Sequence, residues 1–253
     1  MQEVYIMFQY ATKIGLSYTN SDGKQSLRSA LDLIIDCCYF QLPTEKKFHD
    51  FLKELNLGMF VIYRQLDLVR RPVYDEKVTI QTSIFDCKPM IGYRNTVIKD
   101  EAGNFCFKEY SLGAFVDFTT GKPARVPREL MDSLSYDPKI PMEYTPRKIE
   151  LPDDNAFQFC FERKITGVFL DMNGHMNSNW YVSFAEECLP EDFHYNRVRV
   201  EYRKQAQKND PVKLYSVFAD SLFTVKICDA NNDCFAIVEF SSHTENTESA
   251  VSC

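Results

Sequence analysis

Apolar residues recur at three- and four-residue spacing through Leu27, Leu31, Ile34 and Cys38, which predicts a helix over residues 26–41 with one strongly apolar face. Strand signals follow over 58–69, 77–86, 91–99 and 104–118. In the second of these, Val78, Ile80 and Ile84 alternate with Lys77, Thr79, Gln81 and Ser83. Asp100-Glu101-Ala102-Gly103-Asn104 has the composition of a turn between the last two. The same order then returns. A strand is expected over 156–165 and a helix over 177–188 with Trp180, Phe184 and Cys188 on one side. Strands follow over 198–203, 212–220, 223–228 and 234–240, and Asp229-Ala230-Asn231-Asn232-Asp233 takes the place of the earlier turn. At one constant offset Asp75, Glu76, Val78, Ile80 and Asp86 match Asn209, Asp210, Val212, Leu214 and Asp220, so the pattern reads as one fold used twice.

A helix apolar over most of its length cannot stay in water, and an antiparallel sheet curved around it would cover it. That arrangement is an α+β hotdog, and two tandem copies make a double hotdog, each with a long helix wrapped by an antiparallel sheet. The expected boundaries are a first unit over 1–121, a linker over 122–155, a second unit over 156–241 and a flexible tail over 242–253. The linker carries Pro123, Pro127, Pro138, Pro141, Pro146 and Pro152, and the tail is rich in Ser, Thr and Glu.

With 253 residues, 45% of them hydrophobic and 26% charged, the chain has ample material for a buried core. A net charge of -7 argues against nucleic acid as a partner, because neutralising phosphates needs a concentrated basic face. No window approaches the roughly 18 apolar residues of a membrane helix, and Met1 to Tyr5 lacks the basic start of a signal peptide, so a cytoplasmic protein without membrane insertion is expected. The 9 cysteines form no CxxC pair and have no His at zinc-ligand spacing, so neither a metal nor another cofactor is expected.

Of the 4 histidines, His49 and His194 sit among charged loop residues and His243 in the expected tail. His175 differs, because it lies in Asp171-Met172-Asn173-Gly174-His175-Met176-Asn177, directly before an apolar helix. Asn177 is placed to cap that helix, and Gly174 lets the chain turn. Unpaired N–H groups at a helix start suit a carbonyl oxygen gaining negative charge, which makes the backbone at Gly174 and His175 oxyanion candidates. In an extended stretch Asp171, Asn173 and His175 share one side, bringing a carboxylate, an amide and an imidazole together for activating water or for direct attack. A polar turn with a helix cap is the alternative.

This stretch resembles the Asp-x-Asn-x-His-x-Asn motif of the acyl-ACP thioesterases of plants and their bacterial relatives. Val200-Glu201-Tyr202-Arg203-Lys204-Gln205-Ala206 resembles the family's Leu-Glu-Tyr-Arg-Arg-Glu-Cys segment, and Arg70-Arg71-Pro72 with Asp75 and Val78 looks like its first-half pattern. The resemblance implies hydrolysis of the thioester joining a fatty acyl chain to acyl carrier protein in fatty acid biosynthesis, with Asp171, Asn173 and His175 catalytic. It puts Gln205 where the family has Glu and Ala206 where it has Cys. An amide can hold water but cannot remove its proton. The resemblance also implies an acyl tunnel in the first unit, lined by Leu27, Leu31, Ile34 and Met59. An acidic carrier protein would need basic docking residues, for which Arg70, Arg71, Lys122, Arg125 and Arg128 are candidates. An acyl-CoA donor, a non-catalytic acyl-binding role and a homodimer stay open.

Overall fold

A computed structural model describes residues 7–243; most of the expected tail, 244–253, lies outside the described residues. Five strands come from each half of the chain. The first half supplies β1 (Phe8–Lys13), β2 (Leu57–Leu68), β3 (Lys77–Lys88), β4 (Ile91–Asp100) and β5 (Phe105–Asp117). The second supplies β6 (Gln158–Lys164), β7 (Arg197–Tyr202), β8 (Pro211–Ala219), β9 (Leu222–Cys228) and β10 (Cys234–Ser241). All ten join one sheet in the order β1-β3-β4-β5-β2-β7-β10-β9-β8-β6, with every ladder antiparallel. The second half of this order mirrors the first. The two meet where β2 pairs with β7, with Gln65 opposite Arg199 on the pseudo-twofold axis.

Each half lays one helix across its part of the sheet, as the double hotdog requires. Helix α1 (Leu27–Gln41) starts at Ser26, whose side chain accepts the Ser29 N–H at 3.1 Å, and buries Leu27, Ala30, Leu31, Ile34 and Cys37. Burying each such Leu or Ile side chain contributes about 1.5–3 kcal/mol, an upper estimate because unfolded chains are partly collapsed. Three further α-helices follow among the described residues: α2 (Lys46–Glu54), α3 (Arg128–Met131) and α4 (Ser178–Glu186). Tyr181, Val182, Phe184 and Ala185 of α4 share one core with α1 and with strands of both halves. The helices also touch directly. The Arg28 guanidinium lies 3.4 Å from the Trp180 ring centroid, and the Asn179 amide donates to Asp32 at 2.8 Å.

The segment over 122–155 is not a free crossing. Val126, Leu130, Met131 and Leu134 close a second core with Phe48 and Leu52 of α2 and Phe115 of β5. Further on, the segment is tied to the central strands. Gln65 donates to the Glu143 carbonyl at 2.8 Å, Arg199 donates to the Pro146 carbonyl at 2.8 Å, and the Ile149 N–H donates to Glu201 at 3.0 Å. Its prolines prevent long helix and strand, yet its apolar residues and backbone groups still find partners.

Candidate active site

A cavity of about 860 Å³ opens between the halves. The second half contributes Asp171, Asn173, His175, Ser178 and Gln205 to its wall, and the first contributes Asp36 and Tyr39 of α1, with Met59, Phe60 and Arg64 of β2. The four side chains expected to carry chemistry, Asp171, Asn173, His175 and Gln205, thus line one space.

The sequence dictates how the 171–177 loop is folded. Gly174 takes φ +78, a left-handed conformation that non-glycine residues rarely adopt. The turn this allows returns the Asp171 N–H to the His175 carbonyl at 2.8 Å. Asp171 then closes the loop with its side chain, since its Oδ1 accepts the N–H of Asn173 at 2.8 Å and of His175 at 3.2 Å. The loop is docked onto the Gln205 segment, because the Met176 N–H donates to the Ala206 carbonyl at 2.8 Å and His175 bridges Gln207. On the far side of that segment, Lys204 is held by Asp229 at 2.7 Å. Asn177 caps α4 as expected, accepting the Asn179 N–H at 2.9 Å.

Around the candidate groups the surroundings are aromatic. The His175 ring meets Phe60 edge-on, with centroids 5.8 Å apart at 86°, and its Nδ1 is buried with no partner among the described residues. Tyr39 is half exposed, yet desolvation of its hydroxyl first, and the Asp171 carboxylate next, hold that hydroxyl above its usual pKa.

Backbone groups at Gly174 and His175 do not form the expected oxyanion hole. The Gly174 N–H donates to the Asp171 carbonyl at 3.1 Å and the His175 N–H to Asp171 Oδ1, so the loop uses both to hold its own shape. The helix start instead offers the amide of Ser178, the first helical residue and part of the cavity wall, which has no intrahelical acceptor.

Leu27, Leu31 and Ile34 do not line the cavity. They are 0%, 1% and 0% exposed and face the sheet core, while Ile35, Cys38, Tyr39 and Leu42 of the adjacent face line it, together with Met59. Helical periodicity identifies a buried face but not whether a core or a cavity lies beyond it. Arg64, Arg94 and Glu109 also reach this wall, although they are 4%, 8% and 0% exposed. They were missed because polar residues in a strand read as its solvent side.

The model of the acyl-ACP thioesterase N-terminal domain matches residues 7–134, and that of the C-terminal domain matches residues 161–247. The chain belongs to the acyl-ACP thioesterase family. Among solved structures it is similar to an acyl-ACP thioesterase from Bacteroides thetaiotaomicron, with a TM-score of 0.83 and 18% identity, covering 93% of this chain and 97% of that one. A 12:0-ACP thioesterase from Umbellularia californica gives a TM-score of 0.80 at 14% identity, covering 93% of this chain and 96% of that one. No curated protein sequence matches the chain significantly.

Within this family member Ala206, at the place of the motif's Cys, is 0% exposed, and its N–H donates to the Tyr181 hydroxyl at 2.8 Å. It locks the site's backbone and brings no nucleophile. The candidate docking residues divide. Arg70 is engaged by Glu76 and Asp100, and Arg71 donates to the Tyr195 hydroxyl at 2.9 Å with Glu186 at 3.7 Å, so internal partners occupy both. Lys122, Arg125 and Arg128 are exposed, and Lys122 follows Gly121 of the cavity wall. No helix among the described residues is long and apolar enough to cross a membrane.

Proposed function

We propose that the chain hydrolyses fatty acyl-[acyl carrier protein] at the 171–178 loop, with the acyl chain in the cavity beneath α1. The observation that carries this reading is the meeting of Asp171, Asn173, His175 and Gln205 with the start of α4 on the wall of a single large cavity. The thioester carbonyl points at the Ser178 amide, where the helix end stabilises the charge that develops on oxygen. The Gln205 amide holds a water, His175 takes its proton as the water attacks, and the same imidazole returns that proton to the leaving thiolate. Asp171 fixes the imidazole's position through the loop, by accepting the backbone N–H groups of Asn173 and His175. Lys122, Arg125 and Arg128 supply the basic rim for an acidic carrier protein.

The test is release of free acid and thiol from acyl-carrier protein by wild type, His175→Ala and Asp171→Asn. Turnover should fall by about 10²–10⁴ in each variant with the fold retained by circular dichroism. Wild-type rates in both variants remove the site assignment, and a higher kcat/KM on matched acyl-CoA removes the carrier-protein donor.

A further inference from the structure

The cavity wall crosses a band of buried polar residues that the fold itself does not need. The pseudo-twofold axis through Gln65 and Arg199 carries Arg64 onto Val198 and Leu66 onto Val200. Followed outward along the ladders, the row Arg64, Ser111, Arg94 matches Val198, Phe240, Phe223, and the row Leu66, Glu109, Thr96 matches Val200, Val238, Val225. In the second half every one of these positions is apolar and buried, and Phe223 and Phe240 belong to the main core at the positions where Arg94 and Ser111 line the cavity in the first. An apolar row is therefore sufficient to build this sheet under its helix. Burying two guanidinium groups and a carboxylate instead is costly, and well-packed apolar replacements of such clusters are often neutral or stabilising.

Unused hydrogen-bonding capacity in the band faces the cavity. Arg64 is committed, with Glu109 Oε1 at 2.6 Å and Asn179 Oδ1 at 2.7 Å. Arg94 binds Gln41 and Thr82 through Nη1 alone, so its Nε and Nη2 carry no bond among the described residues. Glu109 Oε2 receives only a long bond from the Ser111 hydroxyl, 3.4 Å, besides its contact with Thr96. Arg94, Glu109 and Ser111 all line the cavity. A saturated chain laid across them would remove the solvent contact that Arg94 and Ser111 keep and return no hydrogen bond to any of the three.

We propose that the preferred acyl chain carries a hydroxyl a few carbons from the thioester, as a 3-hydroxyacyl group does, and that Arg94, Glu109 and Ser111 bind it. This rests on the proposed thioester position at Ser178. Arg64 bonds Asn179, the next residue, so the band begins beside the reacting carbonyl. A hydroxyl both accepts from Arg94 and donates to Glu109, whereas an oxo group can only accept. A carboxylate would meet Glu109 and Asp36 in the same wall.

The experiment compares kcat/KM of the full chain on 3-hydroxyacyl and unsubstituted acyl thioesters of equal length on carrier protein, with both hydroxyl configurations. Hydrogen bonds to charged groups predict that one enantiomer is preferred over the unsubstituted chain by about 10- to 150-fold. Arg94→Met and Ser111→Ala should bring that ratio toward one. A wild-type ratio of one or less, or a ratio unchanged in both variants, overturns the proposal. Calorimetry of wild type with the matching non-hydrolysable thioethers reads the same discrimination without turnover or mutation. If neither thioester is hydrolysed while the hydroxylated thioether binds more tightly, the proposed hydrolysis falls and the hydroxyl site stands. Equal binding of the two thioethers removes the hydroxyl site.

Discussion

The loop over 171–177 and its counterpart over 20–26 share a backbone and differ in almost everything else. Asn20 donates to the Lys24 carbonyl as Asp171 does to that of His175, and Gly23 takes φ +73 where Gly174 takes +78. The Gln25 N–H donates to Pro72 as the Met176 N–H does to Ala206, and Lys24 bridges Val73 as His175 bridges Gln207. Ser26 and Asn177 then cap the two helices. In side chains, Lys24 stands for His175, Asp22 for Asn173 and Arg71 for Gln205. Arg71 is also bound to Tyr195 and Glu186, whereas Gln205 faces the cavity. The loop geometry is thus a property of the fold, present twice. An imidazole, a carboxylate and an open cavity coincide once among the described residues, and the proposed chemistry is placed there.

The sharpest way to break this comparison is to make the two loops alike. His175→Lys places on the second loop the residue that the first already carries on the same backbone, so it should leave the melting temperature near wild type. Without the imidazole, acyl-thioester hydrolysis should drop by about 10²–10⁴. A melting temperature that falls together with activity would show that His175 is needed for the loop's shape, contrary to the equivalence.

The polar band offers the next largest effect, read in stability. Glu109→Val copies Val238 from the other half but leaves Arg64 buried without its carboxylate. Urea unfolding should show a loss of about 3–5 kcal/mol. Arg64→Val combined with Glu109→Val gives these two positions the residues of the second half, removes both members of the ion pair, and should recover most of that loss. A double variant as unstable as the single one would mean that the ion pair is needed by the first half's fold.

Smaller, and equal on both sides, is the cost of the left-handed glycine. A Cβ at Gly23 or Gly174 meets no atom within 4 Å, so the penalty in each Gly→Ala variant is backbone strain alone, about 1–2 kcal/mol. The two variants should unfold alike, while Gly174→Ala alone should lower kcat. Unequal unfolding energies would show that the loops are held differently by their surroundings.

Much of this duplication is legible in the sequence. The alternating strands over 77–86 and 212–220 and the turns at 100–104 and 229–233 carry the repeat openly, because period-two patterning survives substitution. The loops were legible only on one side. Asn20-Ser21-Asp22-Gly23-Lys24 lacks an imidazole, so nothing marks it as the partner of 171–175, and the sheet's offset does not align the two. Helix α2, with no equivalent between α4 and β7, changes that offset, and it went unread because only Phe48 and Leu52 of its 9 residues are buried. Strand β1 alternates in burial residue by residue, but it has only 6 residues and lies at the sheet edge, so its signal is short. Arg64, Arg94 and Glu109 were hidden by the rule that finds strands, since a buried charge looks the same in sequence as an exposed one.

The smallest effect concerns a clamp repeated in both halves. Arg70 holds Asp100 at 2.8 Å at the β4–β5 turn, and Lys204 holds Asp229 at 2.7 Å at the β9–β10 turn. The hydrogen bond from Arg70 lowers the Asp100 pKa from its ordinary 3.8 to about 2, and Lys204 lowers that of Asp229. A carboxyl whose folded pKa is depressed contributes stability above its unfolded pKa and loses it as pH falls through the folded one. The melting temperature of Arg70→Ala should therefore lie slightly below wild type near pH 5, and the gap should close between about pH 4 and pH 2. Lys204→Ala should show the same closing gap and, unlike Arg70→Ala, a lower kcat, because Lys204 directly precedes Gln205 in the cavity wall. Equal losses of kcat in the two variants would mean that this clamp serves both halves of the sheet alike and does not position the amide.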